Sequence, residues 1–227
     1  MSLTFSVLEN RARRKTYGKI LFAVIVWGLS FIATKNALVE VRPVVIVFIR
    51  QLLGILFLTF VIIKRKMSFK VDLRKEKWIF VLAAIACFHL WIQVTGLQWT
   101  SASHTGWIIG ITPVFIAILG LIFFKEKINA TQTLGIVISF IGLLVLVSKG
   151  DFSTLDFVKN KGDILIIMSA MTWSIYSIAN KKATVTLSPV LTTFYLFLIV
   201  AVIIAPFTIN SQNMSDVINL SAQGWSS

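Results

Sequence analysis

From Ala102 to Phe124 the chain runs for 23 residues without a lysine, arginine, aspartate or glutamate, and Pro113 stands near the middle of that run. No other stretch constrains the fold as tightly. At 1.5 Å per residue, a helix of about 20 residues crosses a hydrocarbon layer of about 30 Å. A water-soluble domain has no need of an uncharged apolar span of this length. An uncharged polar corner, Gln98-Trp99-Thr100-Ser101-Ala102-Ser103-His104, precedes the span, and Lys125-Glu126-Lys127 closes it. Pro113 lacks a backbone N–H and leaves a carbonyl without its helical donor. A packed or water-lined interior satisfies such a carbonyl, and lipid does not.

Six further apolar runs make the same argument. Read by length and flanking charge, the spans fall at about Tyr17–Leu38, Pro43–Ile63, Lys77–Leu97, Ala102–Phe124, Thr131–Ser148, Asp163–Lys181 and Pro189–Phe207. The expected fold class is therefore all-α, a polytopic membrane helix bundle. Composition agrees: 57% of residues are hydrophobic and 14% charged, where an ordinary soluble domain is about 45–50% apolar and about 25% charged. The first run is expected to be a retained span rather than a cleaved leader, because it is long for one, contains Trp27 and lacks a small-x-small cleavage site. The single cysteine, Cys87, lies inside an apolar run and forms no intrachain disulfide.

A net charge of +13 suggests nucleic acid in a soluble protein. Here the basic residues cluster in the short segments between spans, so they read as topology determinants and headgroup contacts, and nucleic acid is not an expected partner. With the N-terminus in the cytoplasm, sixteen lysines and arginines fall on the inner side: five at the head of the first span, seven between the second and third, two after the fourth and two after the sixth. Four fall outside, Arg42, Lys149, Lys159 and Lys161, while Lys35 and Arg50 lie within spans. The expected location is the plasma membrane, with the N-terminus cytoplasmic.

The chain also repeats itself. Shifted by 146 residues, the first two spans lie over the sixth and seventh without a gap. Trp27 meets Trp173, Lys35 meets Lys181, Pro43 meets Pro189 and Phe48 meets Phe194. Ile20, Ile32, Ala33, Ala37, Val39, Val44 and Leu52 also meet identical residues. An offset of five spans is odd, so the second copy must enter the membrane inverted, a construction typical of secondary transporters with a site between the halves. The resulting division is a basic tail (1–16), a first repeat (17–148), an external linker (149–162) and a partial second repeat with an external tail (163–227).

Trp27-Gly28-Leu29-Ser30-Phe31 with Lys35, Arg50, Gly96-Leu97-Gln98 with Thr100-Ser101-Ala102, and Thr112-Pro113-Val114-Phe115 together resemble the EamA family of the drug/metabolite transporter superfamily. Lys125-Glu126-Lys127, Gly135 and Gly142 continue the pattern, and Gly162-Asp163, Trp173 and Ser188-Pro189 resemble the opening of that family's second half. The resemblance implies ten helices in two inverted five-helix repeats, and transport, often outward, of small metabolites such as amino acids, or of drugs. Against ten helices this chain holds seven, and Asn219–Ser227 reads as the approach to an eighth. The expectation is a shortened form, able either to pair with a second copy or to persist as a non-transporting fragment.

No Asp or Glu falls inside the expected spans, beyond the Asp163 at which the sixth begins, which disfavours carboxylate-based ion coupling. Ionisable groups at membrane depth are costly and mark interiors or cavities. On that ground Arg50, His89 and His104 are candidate substrate contacts, with Trp27, Trp107 and Trp173 as cavity walls. Each has a structural alternative: Arg50 and His89 as helix-to-helix pairing groups, His104 beside the helix-capping Ser101 and Ser103, and the tryptophans as core. Lys35 reads equally as a lysine reaching for the interface. Gly28, Gly96, Gly106, Gly110 and Pro113 are candidate hinge or packing points. Two isolated histidines give no metal-binding spacing, and no GxxxxGK[ST] loop exists for ATP. The expectation is a non-enzymatic carrier without cofactor or metal, whose partners are a small-molecule substrate and the lipid bilayer. A seven-helix receptor or sensor is the other class with this helix count, and its usual external N-terminus runs against the charge count.

Overall fold

The structure is a computed structural model. It describes residues 2–72, 74–125, 129–148, 158, 160–183, 186–209 and 213, with side chains from Thr16 onward except at 143, 146 and 147. Eight helices are described: α1 (Ser2–Ala37), α2 (Pro43–Lys64), α3 (Lys77–Trp99), α4 (Ala102–Ile109), α5 (Thr112–Phe124), α6 (Ala130–Ser148), α7 (Lys161–Lys182) and α8 (Pro189–Thr208). Of the expected closing motif Lys125 is described, whereas Glu126 and Lys127 lie outside the described residues, as do 149–157, Lys159 and 214–227.

Local sequence sets the helix starts. Pro43 and Pro189 occupy the first turns of α2 and α8, where a fixed φ helps and no helical N–H is required. Ser101 accepts from the His104 amide to cap α4, and Asn160 with Asp163 forms a capping box on α7. Two expectations change. The stretch expected as a basic tail is helical from Ser2, since no proline interrupts it and its Arg, Lys and Glu residues favour helix. The expected fourth span is two helices, α4 and α5, joined at Gly110-Ile111. Pro113 is the cause: it cannot donate to the Ile109 carbonyl, and the Val114 amide turns instead to Ile111 at 3.0 Å.

Among the described residues, six stretches are long and apolar enough to cross a membrane: Thr16–Ala37, Pro43–Lys64, Lys77–Trp99, Ala102–Phe124, Lys161–Lys182 and Pro189–Thr208. Helix α6 runs Ala130–Ser148, and its stretch with side chains described without interruption, Ala130–Gly142, is apolar. The chain is thus a polytopic membrane helix bundle. Helix α3 is its centre, packed against α7, α8 and α2, while α2 also packs along α8. Leu82, Ala83, Val94 and Leu97 of α3 share one core with Val45, Ile46 and Val47 of α2 and Leu196, Val200 and Ile204 of α8. Between apolar helices in lipid, close approach and polar contacts supply most of the specificity. Gly54 meets the Phe197 ring, and Gly96 meets α7 so closely that a Cβ there would stand 3.0 Å from the Gly162 carbonyl.

Directions follow from these contacts. His89 of α3 meets Ser169 of α7 and Gly96 meets Gly162, so α3 and α7 are antiparallel. Lys35, near the end of α1, bonds the carbonyls of Leu97 and Gln98 at the end of α3, so α1 runs with α3 and against α7. Arg42, just before α2, reaches Asn213, just after α8, so α2 and α8 are also antiparallel. The two copies of the repeated segment therefore enter in opposite directions.

Candidate functional site

The polar interior lies along one side of α7. Its buried residues Asp163, Ile166, Ser169, Ala170 and Ser174 recur at helical spacing and so share a face. That face meets α3, α4 and α5. Midway along α3, His89 is buried, its Nδ1 is 3.0 Å from the Ser169 carbonyl, and its ring lies 5.0 Å from that of Trp173. Trp173 stacks in turn on Tyr176, with centroids 5.0 Å apart and planes 19° from parallel. Ser174 donates to its own helix at Ala170 (2.8 Å) and lies 3.4 Å from the Thr112 carbonyl beside the α4–α5 break. The hydroxyls of Thr105, Thr112 and Ser169 are buried with no hydrogen-bond partner among the described residues. Buried hydroxyls are ordinarily bonded, so this interface holds hydrogen-bonding capacity that the bundle itself does not use.

Polar ties bracket this layer at both ends. At the Trp99 end, Thr100 donates to Asp163 at 2.6 Å, and His104 Nε2 stands 3.7 Å from the same carboxylate oxygen. Asp163, fully buried, also accepts from the Asn160 amide at 3.2 Å. Lys35 donates to the Leu97 and Gln98 carbonyls at 2.9 and 3.0 Å, meeting acceptors that the end of a helix leaves open. At the Lys77 end, the buried Glu76 carboxylate accepts from the Thr186 amide and hydroxyl. Tyr195 donates to the Phe69 carbonyl at 2.5 Å, and Phe69 packs edge-on against Phe194. Through Asp163 with Thr100 and His104 at one end, and through Glu76 with Thr186 and Phe69 with Tyr195 at the other, both sets join the segment before residue 149 to the segment from 160 on.

Of the residues expected from sequence, His89 and Trp173 come together on α3 and α7. His104 and Trp107 come together on α4, rings 4.9 Å apart, beside Asp163. Arg50 and Trp27 join neither group. Arg50 is exposed on α2 with no ion-pair or hydrogen-bond partner among the described residues, and Trp27 is 44% exposed on α1, its ring against Phe31. The glycines also divide. Gly96 is a packing point, Gly28 and Gly106 have open space where a Cβ would stand, and so do Gly135 and Gly142. Gly110 and Pro113 line a groove of about 840 Å³ between α5 and α6, with Gln132 and Ser139 on its far wall.

Sequence reasoning passes over Asp163 and Glu76. Asp163 stands at the edge of its expected span and reads only as an opening motif, yet α7 begins two residues earlier and Asp163 is buried. The available signal is Asn160-x-x-Asp163, a capping box around Gly162. For Glu76 nothing local distinguishes it from the surrounding solvated Lys75 and Lys77.

A bundle of apolar helices with a buried, incompletely bonded polar seam and matching ties at its two ends defines a polytopic membrane protein with a polar interior between two segments. Comparison with known proteins agrees. The EamA-like transporter family model matches residues 15–148 and again 160–226, and the chain belongs to that family. It is 30% identical over 202 residues to an uncharacterized transporter of Archaeoglobus fulgidus, covering 87% of this chain and 68% of the relative. It is 25% identical over 191 residues to a second uncharacterized transporter of that organism (83% and 65%), and 23% identical over 164 residues to the uncharacterized transporter YoaV of Bacillus subtilis (71% and 56%). The chain thus spans between 56% and 68% of the length of these three relatives.

Proposed function

We propose that the protein is a secondary transporter that exports small amino-acid-like metabolites or drugs across the plasma membrane, by alternating access between inverted segments. The observation that carries this reading is the α7 seam: buried Thr105, Thr112 and Ser169 hydroxyls without partners, next to the stacked His89, Trp173 and Tyr176, in a chain of the EamA-like transporter family. A solute entering between α7 and α3–α5 meets hydrogen-bond donors and acceptors in the middle and aromatic faces beside them. His104 and Trp107 sit nearer the Trp99 end, where the Asp163 ties would part to admit or release it. Rocking α7 and α8 against α2–α5 breaks one bracketing set while the other holds, so the interior never opens to both sides at once. With the N-terminus in the cytoplasm, the Trp99 end faces out.

Arg50, exposed on α2 and apart from both seam groups, lies outside this path. The division into a first repeat (17–148) and a second beginning at 163 is part of the same reading, as is self-association of the chain.

Counterflow of labelled amino acids in liposomes containing the protein tests the assignment. We expect His89→Ala and Trp173→Ala each to lower exchange about tenfold, equal to about 1.4 kcal/mol, while Met171→Ala on the exposed face of α7 leaves it intact. Exchange unchanged in both seam variants would sink the site.

A further inference from the structure

The α4–α5 break has two sides. Toward α7 it buries Thr105, Ile108 and Thr112, with the Ser174 hydroxyl 3.4 Å from the Thr112 carbonyl. On the other side Gly110, Pro113, Val114 and Ala117 recur at helical spacing and form one wall of the groove of about 840 Å³. Helix α6 supplies the facing wall with Gln132, Gly135, Ile136, Ser139 and Phe140, again at helical spacing. Solute pockets run from about 300 to 1,000 Å³, so the groove has the size of a solute site rather than an ion site.

Both walls carry hydrogen-bonding groups that the bundle leaves unused. In an unbroken helix the Gly110 carbonyl would accept from the Val114 amide. Here the Val114 and Phe115 amides both donate to Ile111, at 3.0 and 3.3 Å. The exposed Gly110 is left with a carbonyl that has no donor among the described residues. Across the groove Ser139 is exposed, and its hydroxyl makes no hydrogen bond among the described residues. It lies about 14 Å along α6 from Ala130, near the middle of that helix. Gln132, nearer the Lys125 end, already uses its Oε1 to accept from the Asn129 amide at 3.1 Å, which leaves its Nε2 as a donor. Between Gln132 and Ser139, Gly135 has open space where a Cβ would stand. None of the lining residues is ionisable.

The groove therefore sets an acceptor on one wall against donors on the other, without charge. Hydrocarbon tails leave an open carbonyl unsatisfied, at a cost. Water satisfies it but gains nothing from Val114, Ile136 and Phe140. An ion finds no countercharge. An uncharged molecule with one N–H, one carbonyl and an apolar body meets every group. We infer that the α5–α6 groove is a binding site for neutral secondary amides. The ligand N–H donates to the Gly110 carbonyl, its own carbonyl accepts from Ser139, and its apolar body lies against Val114, Ile136 and Phe140. This site is on the far side of the break from the α7 seam, and it stands whether or not the chain transports.

The probe is 4-fluoroacetanilide, followed by fluorine NMR line broadening on the full chain in detergent. We expect saturable binding to the parent chain. Gly135→Leu, which fills the open space, should weaken binding at least about tenfold. Ser139→Ala should weaken it about fivefold, the loss of one hydrogen bond, and the N-methylated probe, which lacks the N–H, should lose about as much. Gly18→Leu, into open space on α1, and His89→Ala in the seam should both leave binding unchanged. Broadening by the parent that does not saturate, equal binding of the N-methylated probe, or undiminished binding in both Gly135→Leu and Ser139→Ala would each overturn the proposal. Loss of binding in His89→Ala would overturn it as well, by moving the amide into the seam.

Discussion

Asp163 does two jobs with one carboxylate: it closes the capping box that starts α7 and receives the Thr100 hydroxyl from the end of α3. Removing it leaves a buried hydroxyl and the Asn160 amide without their acceptor. Asp163→Ala is expected to cost about 2–4 kcal/mol, the sum of a lost cap and a broken charge-assisted bond, read as a lowered unfolding midpoint in detergent. The glycines allow a sharper comparison. Gly96→Val places carbon 2.9 Å from Ile166 and 3.0 Å from the Gly162 carbonyl, and backbone cannot yield, so a loss of about 1–3 kcal/mol is expected. Gly106→Ala, with open space around it, should be neutral or stabilising, because alanine is the better helix residue by about 1 kcal/mol. Equal effects of the Gly96 and Gly106 substitutions would remove Gly96 from the packing argument. From sequence the two glycines look alike; only the pairing of α3 with α7 separates them.

At the level of elements, the spans are largely legible in sequence because length, apolarity and flanking charge are one-dimensional properties. Pro113 is visible in sequence, yet the run reads there as one span, and only the structure divides it into α4 and α5. Pairing is not legible. That His89 meets Trp173 depends on α3 lying antiparallel to α7 over a separation of some eighty residues, and apolar helices carry little sequence signal for their neighbours. The same blindness makes Arg50 a cavity candidate when α2 directs it to an exposed side. Pro113→Ala should restore an N–H to the Ile109 carbonyl and draw α4 and α5 toward one straight helix. We expect thermal stability to hold or rise and solute exchange to fall several-fold. A variant that exchanges solute at the parent rate would show that the break is not part of the moving mechanism.

For the molecule as a whole, opposed directions of α1 and α7, and of α2 and α8, make orientation the property on which the rest depends. With Cys87 replaced by alanine, single cysteines at positions 42 and 70 should separate under a membrane-impermeant maleimide: position 42 labelled in intact cells, position 70 only after lysis. The reverse pattern would turn the bundle over and exchange the roles of its two ends. Helix α1 buries little beyond Phe31 and Thr34, and Lys35 pins its last turn to the end of α3. A rod fixed at one end is a lever with its pivot at the fixed end. From Lys35 back to Thr16 the arm is about 29 Å long, so a tilt of about 10° sweeps the Thr16 end through about 5 Å while the Lys35 end stays in place. Small rotations at the Trp99 end would thus emerge, amplified, on the opposite face of the membrane.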